Sequence, residues 1–229
     1  MPVRAITFDL DDTLWDLGPT IRRAELRFHA WLTEHFPRIA ERYAFETLLA
    51  SRKAWLETHP ELHHDMTGMR RRWMAYLAHE SGYDPADLVE PGFDVFWDVR
   101  NQVELFDDAL ETLETLKTHY RVGAVTNGNA DVHRIGIGHL FDFVVTARRI
   151  GYAKPHPNIF VAALDEAGVG AEDAVHIGDD PHRDVAGAAA VGMRTVWVNL
   201  LDANWPVELP RADVEVRSLS ELPKVLAEF

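Results

Sequence analysis

Residues Val3–Leu14 read VRAITFDLDDTL, and this stretch decides the fold. Its first half, Val3 to Phe8, is short, apolar and β-branched, the composition of a strand buried on both faces. Its second half is acidic. Asp9 and Asp11 stand at the mouth of that strand with one residue between them. Strand side chains alternate, so this spacing can aim both carboxylates at one site. Asp9 is placed to act as a nucleophile or metal ligand, and Asp11 to transfer a proton. The plainer reading is a solvated acidic turn that ends a strand.

Working outward, similar apolar runs recur at Val122–Thr126, Phe143–Thr146, Ala174–Ile177 and Thr195–Val198, with a weaker one at Asp213–Val216. Helical patterns lie between them. Ala109, Leu110, Leu113 and Leu116 recur at helical spacing, as do Ile159, Phe160, Ala163 and Leu164, with Gly168 as a stop signal. Ser218 to Glu221 has the pattern of a capping box. Strands that alternate with helices predict an α/β fold, a Rossmann-like doubly wound parallel sheet with right-handed crossovers. The active site of such a fold lies at the C-terminal ends of its strands.

The stretch 16–104 breaks this rhythm, because it carries no strand pattern. Ile21, Ala24, Phe28, Trp31 and Leu32 form one amphipathic stripe. Phe45, Leu48, Leu49, Trp55 and Leu56 form a second, and Met66, Met69, Trp73, Tyr76 and Leu77 a third. Asp84-Pro85 opens a fourth helix as N-cap and first helical position. The stripes read as packed core. The expected organisation is a core domain of residues 1–15 and 105–229, interrupted by a helical cap domain of residues 16–104.

Three further strand ends carry polar signals. Thr126-Asn127-Gly128-Asn129 sets a hydroxyl and backbone N–H groups at a strand-to-helix junction, an anion cradle or a plain Asn-Gly turn. Lys154-Pro155 follows the third strand run inside a Gly- and Pro-rich loop. Beside two carboxylates its ammonium would offset their repulsion and hold a phosphate oxygen. Gly178-Asp179-Asp180, with Asp184 a few residues later, ends the fourth run; Asp180-Pro181 also reads as a helix start. Asp9 and Asp179 together offer the hard oxygen ligands that suit Mg²⁺.

Composition narrows the function classes. Apolar residues at 47% and charged residues at 26% are those of an ordinary globular chain. Lys and Arg number 23 and Asp and Glu 37, so the formal charge is 23 − 37 = −14. So acidic a chain repels phosphate backbones at long range, which argues against non-specific nucleic-acid binding but leaves room for a small anion beside a cation. There is no cysteine, so thiolate metal sites and thiol catalysis are excluded. No apolar run approaches the roughly 18–20 residues of a membrane helix, and the chain enters a strand-like run at once. The expectation is a cytoplasmic protein with no membrane partner, a monomer or homodimer.

In order and spacing, FDLDDTL (Phe8–Leu14), TNG (Thr126–Gly128), Lys154-Pro155 and HIGDD followed by DVAGAAAVGM (His176–Asp180, Asp184–Met193) resemble the haloacid dehalogenase-like hydrolase superfamily, over nearly the whole chain. The insert resembles the four-helix cap of that family's first cap class. The resemblance implies a phosphatase that acts on a small phosphorylated metabolite with Mg²⁺. Asp9 would attack phosphorus and carry an aspartyl-phosphate. Asp11 would protonate the leaving alcohol and then activate water. The Asp9 and Asp179 carboxylates and the Asp11 backbone carbonyl would hold Mg²⁺, and Asp184 would order the metal's water shell. Thr126, the Asn127 backbone and Lys154 would bind the transferred phosphoryl group. Haloacid dehalogenases are the rival within the family. Halide leaves without protonation, and such enzymes lack the second aspartate of the first motif, so Asp11 points to a phosphatase. A phosphomutase or a non-catalytic phospho-ligand-binding protein on the same fold are remoter readings.

For substrate, FDLDDTLWD, ELHHDMTGMR (Glu61–Arg70), AVTNGNAD and HIGDD resemble phosphatases of flavin mononucleotide and of the ribitylaminouracil phosphate of riboflavin synthesis. The alternative is a broad sugar-phosphate or nucleotide phosphatase, including the acylneuraminate type. Trp15 and Asp16, where the first motif leaves the core, and His64 and Arg70 in the insert are the candidate substrate contacts. Trp15 could stack on a planar ring or serve as a hinge aromatic, with hinges expected near 16–19 and 102–107.

Overall fold

The computed structural model describes residues 2–229. Six strands, β1 (Ala5–Phe8), β2 (Arg121–Thr126), β3 (Phe143–Thr146), β4 (Ala174–Gly178), β5 (Arg194–Val198) and β6 (Val214–Val216), form one sheet in the order β3-β2-β1-β4-β5-β6. Every neighbouring pair is parallel. The fold is therefore the α/β doubly wound sheet that the alternating pattern predicts. β1 is central and every one of its residues is buried, as its unbroken apolar run requires. The register sets Phe8 beside Ala124 and Ile177, so the residues after β1 and β4 emerge along one edge.

By their contacts the residues fall into two compact units; one runs to Asp16 and resumes at Glu104, and the other is Leu17–Val103. The second unit is all helical: α1 (Leu17–His35), α2 (Pro37–Arg42), α3 (Phe45–Glu57), α4 (Met66–Glu80) and α5 (Pro85–Arg100). Its core draws on the stripes read from the sequence through Phe28, Leu32, Leu48, Trp73 and Leu77 and adds Phe96 of α5, whereas Tyr76, expected in the third stripe, is exposed. Asp65 caps α4 by accepting from Gly68 N at 2.8 Å, and Asp84 caps α5 by accepting from Ala86 N at 2.9 Å. The four expected helices are present, and α2 is an addition. It makes under two turns, too few for a periodic stripe to show.

In the first unit, α6 (Ala109–Lys117) precedes β2, and the short α7 (Val132–Ile135) and α8 (Ala147–Ile150) follow β2 and β3. The helix α9 (Pro157–Ala167) packs Ile159, Phe160 and Ala163 onto Val125 and Val145. It stops at Gly168, whose φ of +66° is open to glycine at no steric cost. Both bonds of the Ser218–Glu221 capping box are made. Among the described residues, no helix is long and apolar enough to cross a membrane.

Candidate active site

The strand ends build the site. Asp9 leaves β1 with its N–H on the Ile177 carbonyl at 2.9 Å. The loop between α8 and α9 brings in Lys154, whose Nζ donates to Asp9 Oδ1 and to Asp184 Oδ1, both at 2.6 Å. That loop is clamped by Asn127 at the end of β2. Its Nδ2 donates to the Lys154 carbonyl at 3.0 Å, and its Oδ1 accepts from Lys154 N at 2.7 Å. Asp184 also meets His176 Nε2 at 3.2 Å, and its Oδ2 accepts from Asp180 N at 3.0 Å. It lies so close to the end of β4 that a Cβ on Gly178 would come within 2.4 Å of its Cγ. The opening Pro181–Ala186 turn, a wide π-type turn capped by Asp180, carries Asp184 into this position. Thr126 Oγ1 accepts from Gly128 N at 2.9 Å, which leaves its hydroxyl proton to donate.

Charge in this cluster is unbalanced. Asp9, Asp179 and Asp184 place carboxylate oxygens within 4.8 Å of one another. Three carboxylates against one ammonium leave two formal negative charges. Asp184 is the best held. Burial alone would push its carboxyl up, but Lys154 and His176 bring it well below the usual carboxylate range. Burial opposes the Lys154 ammonium, yet Asp184 and Asp9 hold it charged beyond the ordinary lysine range. Asp9 shares that lysine. Burial raises its carboxyl well above the usual range, Lys154 offsets this only in part, and Asp184 and Asp179 add to it. Asp179 is pushed up to about 7, first by burial and then by Asp184 and Asp12, although Thr13 Oγ1 donates to it at 3.1 Å. One divalent cation would cancel the two residual charges. Asp9 and Asp179 suit it as ligands; both oxygens of Asp184 are already engaged, which suits an outer role.

Other expected site residues stand outside the three-carboxylate cluster. Asp11 is outside the three-carboxylate cluster, and its Oδ1 accepts from Trp15 Nε1 at 2.8 Å. Trp15 is fully buried, so the expectation that it stacks on a substrate ring gives way to holding Asp11. The chain leaving β1 and the returning chain are joined here, through a Trp15–Leu105 bridge and a bond from Phe106 N to the Leu14 carbonyl at 3.0 Å. Asp16 is exposed and lines a cavity beside Asp179. His64 is half-buried in the turn before α4. Arg70 corrects its sequence reading: it is 2% exposed, with its guanidinium on Glu25 at 2.6 and 3.3 Å and over the Phe96 ring. Arg52 meets the same carboxylate at 2.7 Å. A buried ion cluster inside the helical unit thus takes the arginine expected to touch substrate.

Sequence reasoning assigned no role to His176, Thr7, Thr13 or Trp197. His176 is buried, with its Nδ1 2.8 Å from the Thr7 hydroxyl, and burial keeps its imidazole below the ordinary histidine range despite Asp184. Trp197 Nε1 donates to the Asp179 carbonyl at 2.7 Å.

The model of the haloacid dehalogenase-like hydrolase family matches residues 3–192, and the chain belongs to that family of enzymes. It is 32% identical over 200 residues to the 5-amino-6-(5-phospho-D-ribitylamino)uracil phosphatase YigB of Escherichia coli, covering 86% of this chain and 83% of that protein. It is 32% identical over 207 residues to a glyceraldehyde 3-phosphate phosphatase of Methanopyrus kandleri, covering 85% and 83%. A crystal structure described as a 2-haloacid dehalogenase from Pseudomonas syringae superposes with a TM-score of 0.92 at 39% identity, covering 99% of each chain.

Proposed function

We propose that this hydrolase is a Mg²⁺-dependent phosphatase of small phosphomonoesters, with a ribitylaminouracil phosphate or flavin mononucleotide as leading substrates. The observation that carries the reading is the buried cluster in which Asp9, Asp179 and Asp184 face a single Lys154. Such a site is short of positive charge until a divalent cation enters. Bound there, Mg²⁺ would neutralise charge on the phosphoryl oxygens.

The residues supply the rest. Lys154 neutralises a phosphoryl oxygen and helps keep Asp9 ionised next to a dianion. The Thr126 hydroxyl donates to a second oxygen. Asp9 attacks phosphorus and the ester P–O bond breaks, while Asp11 gives its proton to the leaving alcohol oxygen. Asp11, now ionised, takes a proton from a water that attacks the phosphorus of the aspartyl-phosphate. Inorganic phosphate leaves and the Asp9 carboxylate is restored. Trp15 orients Asp11 for both transfers through its indole N–H.

The likeness to the Pseudomonas syringae structure favours a second reading, dehalogenation of a 2-haloacid. That chemistry uses Asp9 but needs neither the proton of Asp11 nor a cation, so the acidic surplus would have no purpose. Phosphate release is measured with and without Mg²⁺ on flavin mononucleotide, the ribitylaminouracil phosphate, glyceraldehyde 3-phosphate and acylneuraminate phosphate, with Asp9→Asn as blank. Turnover highest on the ribityl esters, lost with chelator and with Asp9→Asn, is expected. Even turnover across the set would reject the substrate assignment, and its absence from the whole set would reject the phosphatase.

A further inference from the structure

His176 carries no step of the proposed reaction, yet it stands one contact away from the reacting groups. It is 1% exposed and lies on β4, paired in the parallel register with Thr7 of β1. Phe160 meets its ring edge-on, with ring centres 5.1 Å apart. Its Nδ1 is 2.8 Å from the Thr7 hydroxyl oxygen, and its Nε2 is 3.2 Å from Asp184 Oδ1.

These contacts select one form of the ring. A carboxylate oxygen only accepts, so the proton facing Asp184 is on Nε2. A bare Nε2 would turn its lone pair on that oxygen. Nδ1 then either carries a second proton or accepts from Thr7. The hydroxyl's other acceptor, the Val175 carbonyl, is 3.5 Å away, so the 2.8 Å contact takes the hydroxyl proton. An imidazolium would also set a second buried cation beside the Lys154 ammonium, which lies on the same Asp184 oxygen at 2.6 Å.

Asp184 is fixed at both oxygens. Oδ1 accepts from Lys154 and from His176, and Oδ2 from Asp180 N at 3.0 Å. Lys154 gives a second N–H to Asp9 at 2.6 Å, and the last N–H of its ammonium is left for a phosphoryl oxygen. The direction of that last N–H is set by the other two. We propose that His176 is a positioning residue: as a neutral ring with its proton on Nε2 and a Thr7 donor at Nδ1, it stops the Asp184 carboxylate from turning and so aims the Lys154 ammonium. The inference rests on the phosphatase reading for what the ammonium is aimed at, and it adds Thr7 and His176 to the residues on which that chemistry depends. Without His176, Oδ1 is held by Lys154 alone. The carboxylate can then turn about its Cβ–Cγ bond and carry the ammonium with it, and a misplacement of about 1 Å can cost on the order of 100-fold in rate.

Two readouts test this, and one is independent of turnover. In nitrogen-15 spectra near neutral pH, with the His176 signals assigned by their loss in His176→Gln, Nε2 should be protonated and Nδ1 bare. Thr7→Val should shift the Nδ1 signal. A proton on Nδ1, with or without one on Nε2, overturns the proposal and leaves the phosphatase standing. In turnover of the ribitylaminouracil phosphate with Mg²⁺, His176→Leu should lower kcat by at least about tenfold with little change in KM. His176→Gln, whose amide can place an N–H near the position of Nε2, should recover most of that loss. Equal kcat in the Gln and Leu variants, or losses that simply follow melting temperature, makes His176 a packing group and overturns the proposal. Should His176→Leu fail to fold, Thr7→Val carries the kinetic arm: kcat should fall by about threefold or more, and an unchanged kcat overturns the proposal. No turnover of any phosphomonoester by the unaltered protein removes the phosphatase reading and the aim of the ammonium with it, while the spectra still decide the form of the ring.

Discussion

Asp179 ties the metal chemistry to pH. Burial, Asp184 and Asp12 push its carboxyl up to about 7 in the absence of a cation, so a proton and a cation compete for the same oxygens near neutrality. A raised carboxyl is protonated below its folded value, so the direction is fixed: Mg²⁺ affinity should climb as pH rises through about 7 and level off above it. Below that value it should fall by up to about tenfold per pH unit. Calorimetric titration with Mg²⁺ from pH 6 to 8 measures this. Asp179→Asn should weaken the dependence, with Asp9 left as the other raised carboxylate; a flat profile in the unaltered protein would show that Asp179 is no ligand. Asp11, read beside Asp9, lies outside the acidic cluster, but at this scale Asp9 and Asp179 were legible because each follows an apolar run. His176 was not. A lone histidine inside a buried strand reads as core until its Nε2 is seen against Asp184. Arg70 was misread for a related reason. Its partner Glu25 is far away in the chain, and one sequence does not show which face of α1 meets which face of α4.

Between elements, α1 and α4 are locked by that pair. Both side chains are almost wholly buried, and Arg52 from α3 joins them. Glu25→Ala would leave the buried Arg70 and the half-buried Arg52 without the carboxylate they share, a loss of about 3–5 kcal/mol in unfolding free energy, read from the urea midpoint. Arg70→Met, which removes a charge and keeps the bulk, should cost less. A loss under about 1 kcal/mol for Glu25→Ala would mean the cluster is wet and weak. The pH sign follows from Glu25. Burial pushes its carboxyl up, but Arg70 and Arg52 more than offset that and leave it lowered. Its contribution is therefore present in full above the ordinary carboxylate range and is lost as pH falls through the lowered folded value. The cap of α5, the stop at Gly168 and the capping box at Ser218 were all readable, because each is written within a few adjacent residues. The wide turn at Pro181–Ala186 was readable only as a helix start.

Across the whole molecule, the division of labour follows from topology. One parallel sheet brings Asp9, Thr126 and Asp179 to the ends of β1, β2 and β4, and the loop that carries Lys154 meets them there. Asp9, Thr126 and Asp179 are dispersed in sequence but each follows an apolar strand run, so their place at one edge of the sheet could be read in advance, whereas Lys154 comes from a loop. The cavity beside Asp179 is assembled from Asp12, Phe106, Pro181 and the rim after β5, with no pattern shared among them, so it could not. The central claim is that Asp9 takes a phosphoryl group and that Asp11 is needed to remove it. Acetyl phosphate tests this most directly, because its leaving group departs without a proton from Asp11. Asp11→Asn mixed with acetyl phosphate and Mg²⁺, then examined by intact-protein mass spectrometry, should gain the mass of one phosphoryl group, mapped to Asp9 and absent from the Asp9→Asn, Asp11→Asn double variant. No adduct in Asp11→Asn, together with metal-independent chloride release from 2-chloropropionate by the unaltered protein, would contradict the account and make the chain a dehalogenase.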